Sequence, residues 1–252
     1  MKQVTLTASV PLLASWGWDD RVITPSTHPQ RRRVDLMMLQ SRRWQTASAI
    51  ERDFQELLQF VSPSCQNFPC HSPRISALLV RTCMEVESCF KSILSENDVS
   101  KKRQKSIEDF RVVEKSHSLS RYSVKIHGWH QGSKVFRPFQ AWGAERSCDP
   151  PLGKLVWYSA YGSLKHNVLD EVEYGTFENL CCSICGLHAL LVSQFGFTGW
   201  GPQGVLGFYS APEYECAVGS TVEVRFPRPE ECNVVYDLPK TWSYPIESFE
   251  YN

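Results

Sequence analysis

The clearest hydrophobic pattern in the chain runs from Ile75 to Ile93. Ile75, Leu78, Leu79, Thr82, Val86, Phe90 and Ile93 recur at three- and four-residue steps, which predicts an amphipathic helix with one buried face. Ser72-Pro73 marks its start, because serine caps a helix and proline fits the first helical position. Upstream, Ile50, Phe54, Leu57, Leu58 and Val61 form a second stripe that begins near Trp44 and ends at Pro63. A third stripe is Leu180, Ile184, Leu187, Leu191 and Phe195, with Thr176 placed to cap it and Gly196 to stop it. Trp157, Tyr161 and Lys165 recur every four residues, so a short aromatic helix is expected over 153–166.

Between these helices the period changes. In 121–142, Tyr122, Val124 and Ile126 alternate, Val135 and Phe136 precede Pro138, and Gln131-Gly132-Ser133 suits a hairpin turn. Thr221 to Phe226 alternates as a strand, and Val4, Leu6, Ala8 and Val10 suit another near the N-terminus. Residues 95–120 are polar, with Lys101-Lys102-Arg103, and read as a surface excursion with a short helix around Ile107 to Val113. In 1–43, Arg31-Arg32-Arg33 and Arg42-Arg43 bracket Val34 to Leu39. That run reads either as a solvated loop edge or as a phosphate-facing patch.

Composition narrows the class of partner. With 27 basic and 27 acidic residues the formal net charge is zero, so any contact with nucleic acid must come from a local patch. Eight Trp and thirteen Phe favour a packed fold over disorder. The apolar run from Leu180 to Phe197 is broken by Ser183, His188, Ser193 and Gln194, which suits a buried helix and not a membrane span. Met1 to Gly17 makes a poor signal peptide, so the cytoplasm is the expected compartment. Ten cysteines are spread over the chain, several of them on predicted helix interiors, where free buried thiols are expected; Cys182-x-x-Cys185 lacks a second pair at zinc-finger spacing. No metal and no cofactor are expected.

Candidate chemistry gathers at the end of the aromatic helix. There Trp157, Tyr161, Lys165, His166 and Asn167 bring together aromatic, cationic and imidazole groups. His166 reads as a general base or as a cation favoured at a helix C-terminus. Lys165 reads as a phosphate ligand or as a partner for Glu171 or Glu173. Trp157 and Tyr161 at helical spacing read as core or as stacking surfaces. Arg81 and Glu85 stand at i, i+4, the spacing of an intrahelical ion pair, and Glu87 reads as solvated. His127-Gly-Trp-His130 falls in a predicted strand or turn, and His188 reads as a satisfied core histidine.

These elements occur in a recognisable order. Asn67 to Ser72 precede a helix containing Arg81-Thr-Cys-Met-Glu85-Val-Glu87-Ser-Cys-Phe90-Lys91; an extended segment with Phe139 and Trp142 follows. Then come Trp157-Tyr158-x-x-Tyr161-x-x-Leu164-Lys165-His166-Asn167 and the apolar helix from Thr176 to Leu191. This order resembles the HEPN superfamily, in particular its prokaryotic, abortive-infection-like members, over residues 46–196.

The resemblance implies a mainly α fold: an antiparallel helical bundle over 46–196 with an inserted β-hairpin. An N-terminal extension with a basic patch (1–45) and a small β-rich or irregular C-terminal extension (197–252) would flank it. It also implies a homodimer and a metal-independent endoribonuclease with an Arg-x(4–6)-His motif. There a base takes the 2′-hydroxyl proton and cations stabilise the phosphorane. Carried onto this chain, His166 is the base, Lys165 and Arg81 are phosphate ligands, and Tyr161 and Asn167 orient the substrate. Trp157 and Glu85 complete the contact set.

The chain departs from the motif, since Tyr161 and Gly162 stand where active members carry Arg and a polar residue. RNA cleavage in prokaryotic antiviral defence or a toxin–antitoxin system is therefore one expectation. A catalytically inactive module for dimerisation, nucleotide sensing or partner binding is the other. Expected partners are RNA or a nucleotide, a second copy, and an antitoxin or defence protein, with no membrane.

Overall fold

Residues 29–58 form one continuous helix, α1 (Pro29–Leu58). The computed structural model describes residues 5–7, 29–96, 106–130, 132, 134–143, 153–166, 171–195, 215–218, 221–225, 227 and 248–250. Pro29 occupies the first helical position, where a missing N–H costs nothing. The arginine-rich stretch expected as a loop edge is thus helical. Its charges interrupt the apolar stripe and hide the period that becomes plain only after Trp44.

Helix α2 (Pro73–Glu96) begins as its sequence signals, with the Ile75 N–H donating to Ser72 Oγ at 3.2 Å. Its predicted apolar face is buried throughout, from Ile75 to Ile93. It runs antiparallel to α1, because Arg43 meets Glu85, Asp53 meets Arg81 and Glu56 meets Arg74. Arg81 and Glu85 therefore pair across helices and not with each other.

Helix α6 (Phe177–Phe195) is the centre of the molecule. Leu180, Ile184, Cys185, Leu187 and Leu191 are fully buried, as are the intervening Cys181, Ser183, His188 and Ala189. A helix wetted on so little of its surface must be apolar nearly all round, which explains its composition. Thr176 Oγ1 accepts from the Asn179 N–H at 3.2 Å at its start. Helices α2 and α6 begin side by side: His71 bridges Thr176, and the Phe177 N–H donates to the Cys70 carbonyl at 2.7 Å.

Two strands near the termini, β1 (Thr5–Thr7) and β6 (Ser248–Glu250), pair antiparallel. The remaining strands are β2 (Ser123–Ile126), β3 (Val135–Phe136), β4 (Glu215–Val218) and β5 (Val222–Arg225). They form one antiparallel sheet in the order β3-β2-β5-β4. The expected hairpin is present, with Val124 opposite Phe136, and its other edge is completed by β5 from the C-terminal stretch. Val124, Ile126, Val222 and Val224 are buried on one face, while Lys125 and Glu223, directly opposite, pair on the other at 2.9 Å. Thr221 fastens the sheet to the helices. Gln55 donates to its hydroxyl at 2.6 Å and its N–H donates to Glu51 at 3.2 Å.

The polar segment after α2 is better anchored than its sequence suggests. It forms α3 (Ile107–Phe110) and α4 (Glu114–His117), and Phe110, Val113 and Leu119 are fully buried. Phe110 stacks on Phe90 with centroids 5.2 Å apart. From there an aromatic chain runs through Phe139, 6.0 Å from Phe90, to Trp157, 5.7 Å further on. This chain holds the short helix α5 (Val156–His166) against α2 and α6. Burying each such ring stabilises by roughly 1.5–3 kcal/mol. The described chain is mainly helical with a small antiparallel sheet.

Candidate functional site

Trp157 lies at the base of α5 and is buried. Its indole N–H donates to the Pro138 carbonyl at 2.9 Å, and its ring lies over Gly186 so closely that a Cβ there would stand 3.1 Å away. A side chain so enclosed has no face left for a nucleobase, so Trp157 is core. One turn on, Tyr158 and Tyr161 stack edge-to-face at 5.3 Å and lead the aromatic chain to Glu87 on α2.

Glu87 organises this end of the molecule. The Tyr161 hydroxyl donates to Glu87 Oε2 at 3.0 Å. Lys91 Nζ donates to Oε1, and Lys165 Nζ lies 3.6 Å from Oε2. The Lys165 ammonium also sits 5.3 Å from the Tyr161 ring centroid, within cation–π range. Burial works against the Glu87 carboxylate, but the hydrogen bonds from Lys91 and Tyr161 and the charges of Lys91 and Lys165 outweigh it. They hold the carboxyl below its ordinary range. The same carboxylate and burial push both tyrosine hydroxyls up, so each is a donor and neither is a base at neutral pH.

The sum of charges in this cluster is positive. One carboxylate serves two ammoniums, and both lysine side chains remain half exposed (50% and 49%) while Glu87 is only 14% exposed. His166, the last residue of α5, is exposed and follows Lys165 in the chain. A helix C-terminus favours cations, so Lys165 and His166 in the last turn are consistent with the macrodipole.

The sequence-predicted residues divide into two groups. Tyr161 and Lys165 come together at Glu87, with Trp157 below them in the core, and His166 follows Lys165 at the exposed end of α5. Arg81 and Glu85 go elsewhere. Arg81 pairs with Asp53 on α1, and Glu85 with Arg43 at 2.8 Å in a network that includes Ser88 and Ser92. Their side chains serve the α1–α2 interface, so neither reaches the end of α5 within this chain. Asn167 lies outside the described residues. Lys165 pairs with Glu87 and not with Glu171 or Glu173, and Glu87, expected in solvent, is the hub. No family model, curated protein or solved structure matches the chain.

Glu87 and Lys91 are the site residues that the sequence reading missed. Their i, i+4 spacing was visible, but nothing local reveals that the α5 stripe would land on them. His188 is a core histidine, fully buried, with its Nδ1–H directed at the Ile184 carbonyl at 2.8 Å, but it is not the fully satisfied one expected, since its Nε2 has no hydrogen-bond partner among the described residues. Cys182 and Cys185 gain no further ligands: among the described residues no three His, Cys, Asp or Glu side chains converge as a metal site. Among those residues no helix is long and apolar enough to cross a membrane.

Proposed function

We propose that the chain is a HEPN-like RNA-binding protein that cleaves RNA without a metal. In this reading the bundle brings His166 of two copies to one cleft, in a defence or toxin–antitoxin setting. What supports the reading is the exposed His166 at the end of α5, next in the chain to Lys165, which is itself held by Glu87 and the Tyr161 ring. His166 takes the proton from a ribose 2′-hydroxyl; the oxygen attacks the adjacent phosphorus, the P–O5′ bond breaks, and the 5′-oxygen leaves with a proton from solvent, to which His166 returns its own. The products are a 2′,3′-cyclic phosphate and a 5′-hydroxyl. Lys165 and Lys91 offset the charge that builds on the phosphorane oxygens. Tyr161 is a positioning residue, since its hydroxyl is already committed to Glu87.

A second reading has an observation of its own. Arg81 is tied to Asp53, so the chain presents lysine and no described arginine at this end, and lysine lacks the bidentate fork suited to phosphate. That favours an inactive module that binds a partner or nucleotide through the same surface. The two separate on purified wild type and His166→Ala, incubated with structured and single-stranded RNA in a chelator. Cleavage by wild type that falls about 100-fold or more in the variant supports the enzyme. Equal activity, or none from wild type, removes it.

A further inference from the structure

A second surface of the molecule has the composition of a nucleic-acid contact. Acidic residues make up 27 of 252, roughly one in nine, yet residues 57–84 and 121–143 contain no Asp or Glu at all. The fold brings these two acid-free stretches together. The loop between α1 and α2 meets the turn between β2 and β3, where the His130 N–H donates to the Pro63 carbonyl at 2.7 Å. Phe68 packs on Trp129 at 5.7 Å and on Phe136 at 6.3 Å, and Trp129 packs on Phe136 at 5.3 Å.

Phe136 is buried within this group, but Phe68 and Trp129 are only partly covered. His127 and His130 flank Trp129 and are exposed, as is His71 on the facing loop. Lys134 lies 5.7 Å from the Phe68 ring centroid. Three other cations of the two stretches are matched, Lys125 with Glu223, Arg74 with Glu56 and Arg81 with Asp53, while Arg121 and Arg137 are exposed. Lys134 is spared that neutralisation and is held over an aromatic face. Glu178, exposed on the first turn of α6, borders the patch, through its N–H to the Phe68 carbonyl at 3.2 Å.

We propose that this turn and loop form a platform for single-stranded RNA. Unpaired bases stack on the uncovered parts of the Trp129 and Phe68 rings, His127 and His130 contact the sugar-phosphate chain, and Lys134 meets a phosphate. Partly covered rings beside a cation, with no carboxylate in either stretch to repel the backbone, are what sequence-tolerant single-strand binding requires. A duplex hides its base faces and cannot use the rings. The inference rests on the reading above that the ligand is RNA, but it places the main contact away from His166. Packing alone explains why Phe136 is buried; it does not explain two imidazoles and a lysine on a rim whose bordering carboxylate is Glu178 of α6.

The test is fluorescence anisotropy with an end-labelled, unstructured 12-nucleotide RNA and with the corresponding RNA duplex, at two salt concentrations. The full chain is compared with Lys134→Glu, with His127→Ala/His130→Ala, and with Lys165→Glu at the other site. Thermal melting confirms that each variant is folded, and Lys134→Gln stands in if Lys134→Glu is not. We expect the platform variants to weaken single-strand binding about tenfold, and the duplex to bind about tenfold more weakly than the single strand. Platform variants that bind like wild type while Lys165→Glu loses affinity would overturn the platform and leave the His166 reading intact. Loss in the platform variants with no change in Lys165→Glu supports the platform and counts against the His166 edge. A duplex bound as tightly as the single strand overturns stacking, and a wild type that binds no RNA overturns both.

Discussion

The Tyr161 hydroxyl reaches across from α5 to donate to Glu87 of α2 at 3.0 Å, and this one bond sets the character of the candidate site. It anchors the carboxylate that in turn holds Lys165 and Lys91, so a buried aromatic chain ends in ordered positive charge. Tyr161→Phe removes only the donor. Bonds to charged groups contribute about 1.5–3 kcal/mol, and partial exposure discounts this one to about 1 kcal/mol. Chemical denaturation of wild type, Tyr161→Phe, Glu87→Gln and the double variant checks it. A coupling energy near zero would show that the bond does not hold the site.

Glu87→Gln has two effects of opposite sign. Losing the carboxylate frees both lysines and lowers stability, yet it also leaves the end of α5 more positive. We expect the melting temperature to fall while the Kd for RNA tightens about threefold at low salt, with a steeper salt dependence. A variant that loses RNA affinity would show that Lys165 must be held in place more than it must be charged.

Acid sensitivity follows from buried imidazoles. Burial pushes His117 down to about 4, against a hydrogen bond that its ring donates to the Val113 carbonyl, which works the other way. His188 is pushed down by burial as well, opposed by the charge of Glu51. An unfolded histidine titrates near 6.5, so between that value and about 4 the unfolded chain binds protons that the folded chain refuses. The stability conferred by neutral His117 is complete above pH 6.5 and is lost as pH falls toward 4, by roughly 3 kcal/mol at most. Glu87, held below its ordinary range, adds loss in the same direction at still lower pH. Unfolding free energies at pH 7.5 and 5 check the sign: His117→Gln should narrow the difference between them, and an unchanged difference would contradict it.

Phe90 is the joint between α2 and the segment that follows it, stacked on Phe110 and in contact with Phe139 and Trp142. Phe90→Ala should cost about 3–5 kcal/mol, since the rigid surroundings cannot collapse into the space. Because Phe139 hands the chain on to Trp157, the damage should reach α5. Hydrogen exchange would show faster exchange of α5 amides alongside those of α3. Loosening confined to α3 would show that the aromatic chain does not transmit support to the site.

The helices carrying the site were legible because their signals are local. Ser72-Pro73 starts α2, Thr176 starts α6, and the four-residue recurrence of Trp157, Tyr161 and Lys165 places α5 within three residues of its observed start. What escaped are relationships between elements distant in sequence. Glu87 meets Lys165 across 78 positions (165 − 87), so no window of sequence shows the pair. Arg81 and Glu85 look like an intrahelical pair by spacing, but each finds a better-placed partner on α1. The joining of β2 to β5 spans a hundred residues and depends on the helices packed beneath them. Arg31 to Arg43 hid the first half of α1, because charge broke a stripe that the backbone nevertheless follows.

The most direct measurement is site-resolved. In a proton–carbon spectrum of the histidine rings, comparison with His166→Gln assigns the His166 signal among the seven histidines. Titration with a short single-stranded RNA carrying a 2′-deoxy block against cleavage then reads contact at that ring. We expect the His166 signal to move in proportion to bound RNA, and to move less in Lys165→Met. A His166 signal that stays still while RNA demonstrably binds would contradict the assignment of this imidazole to the RNA site.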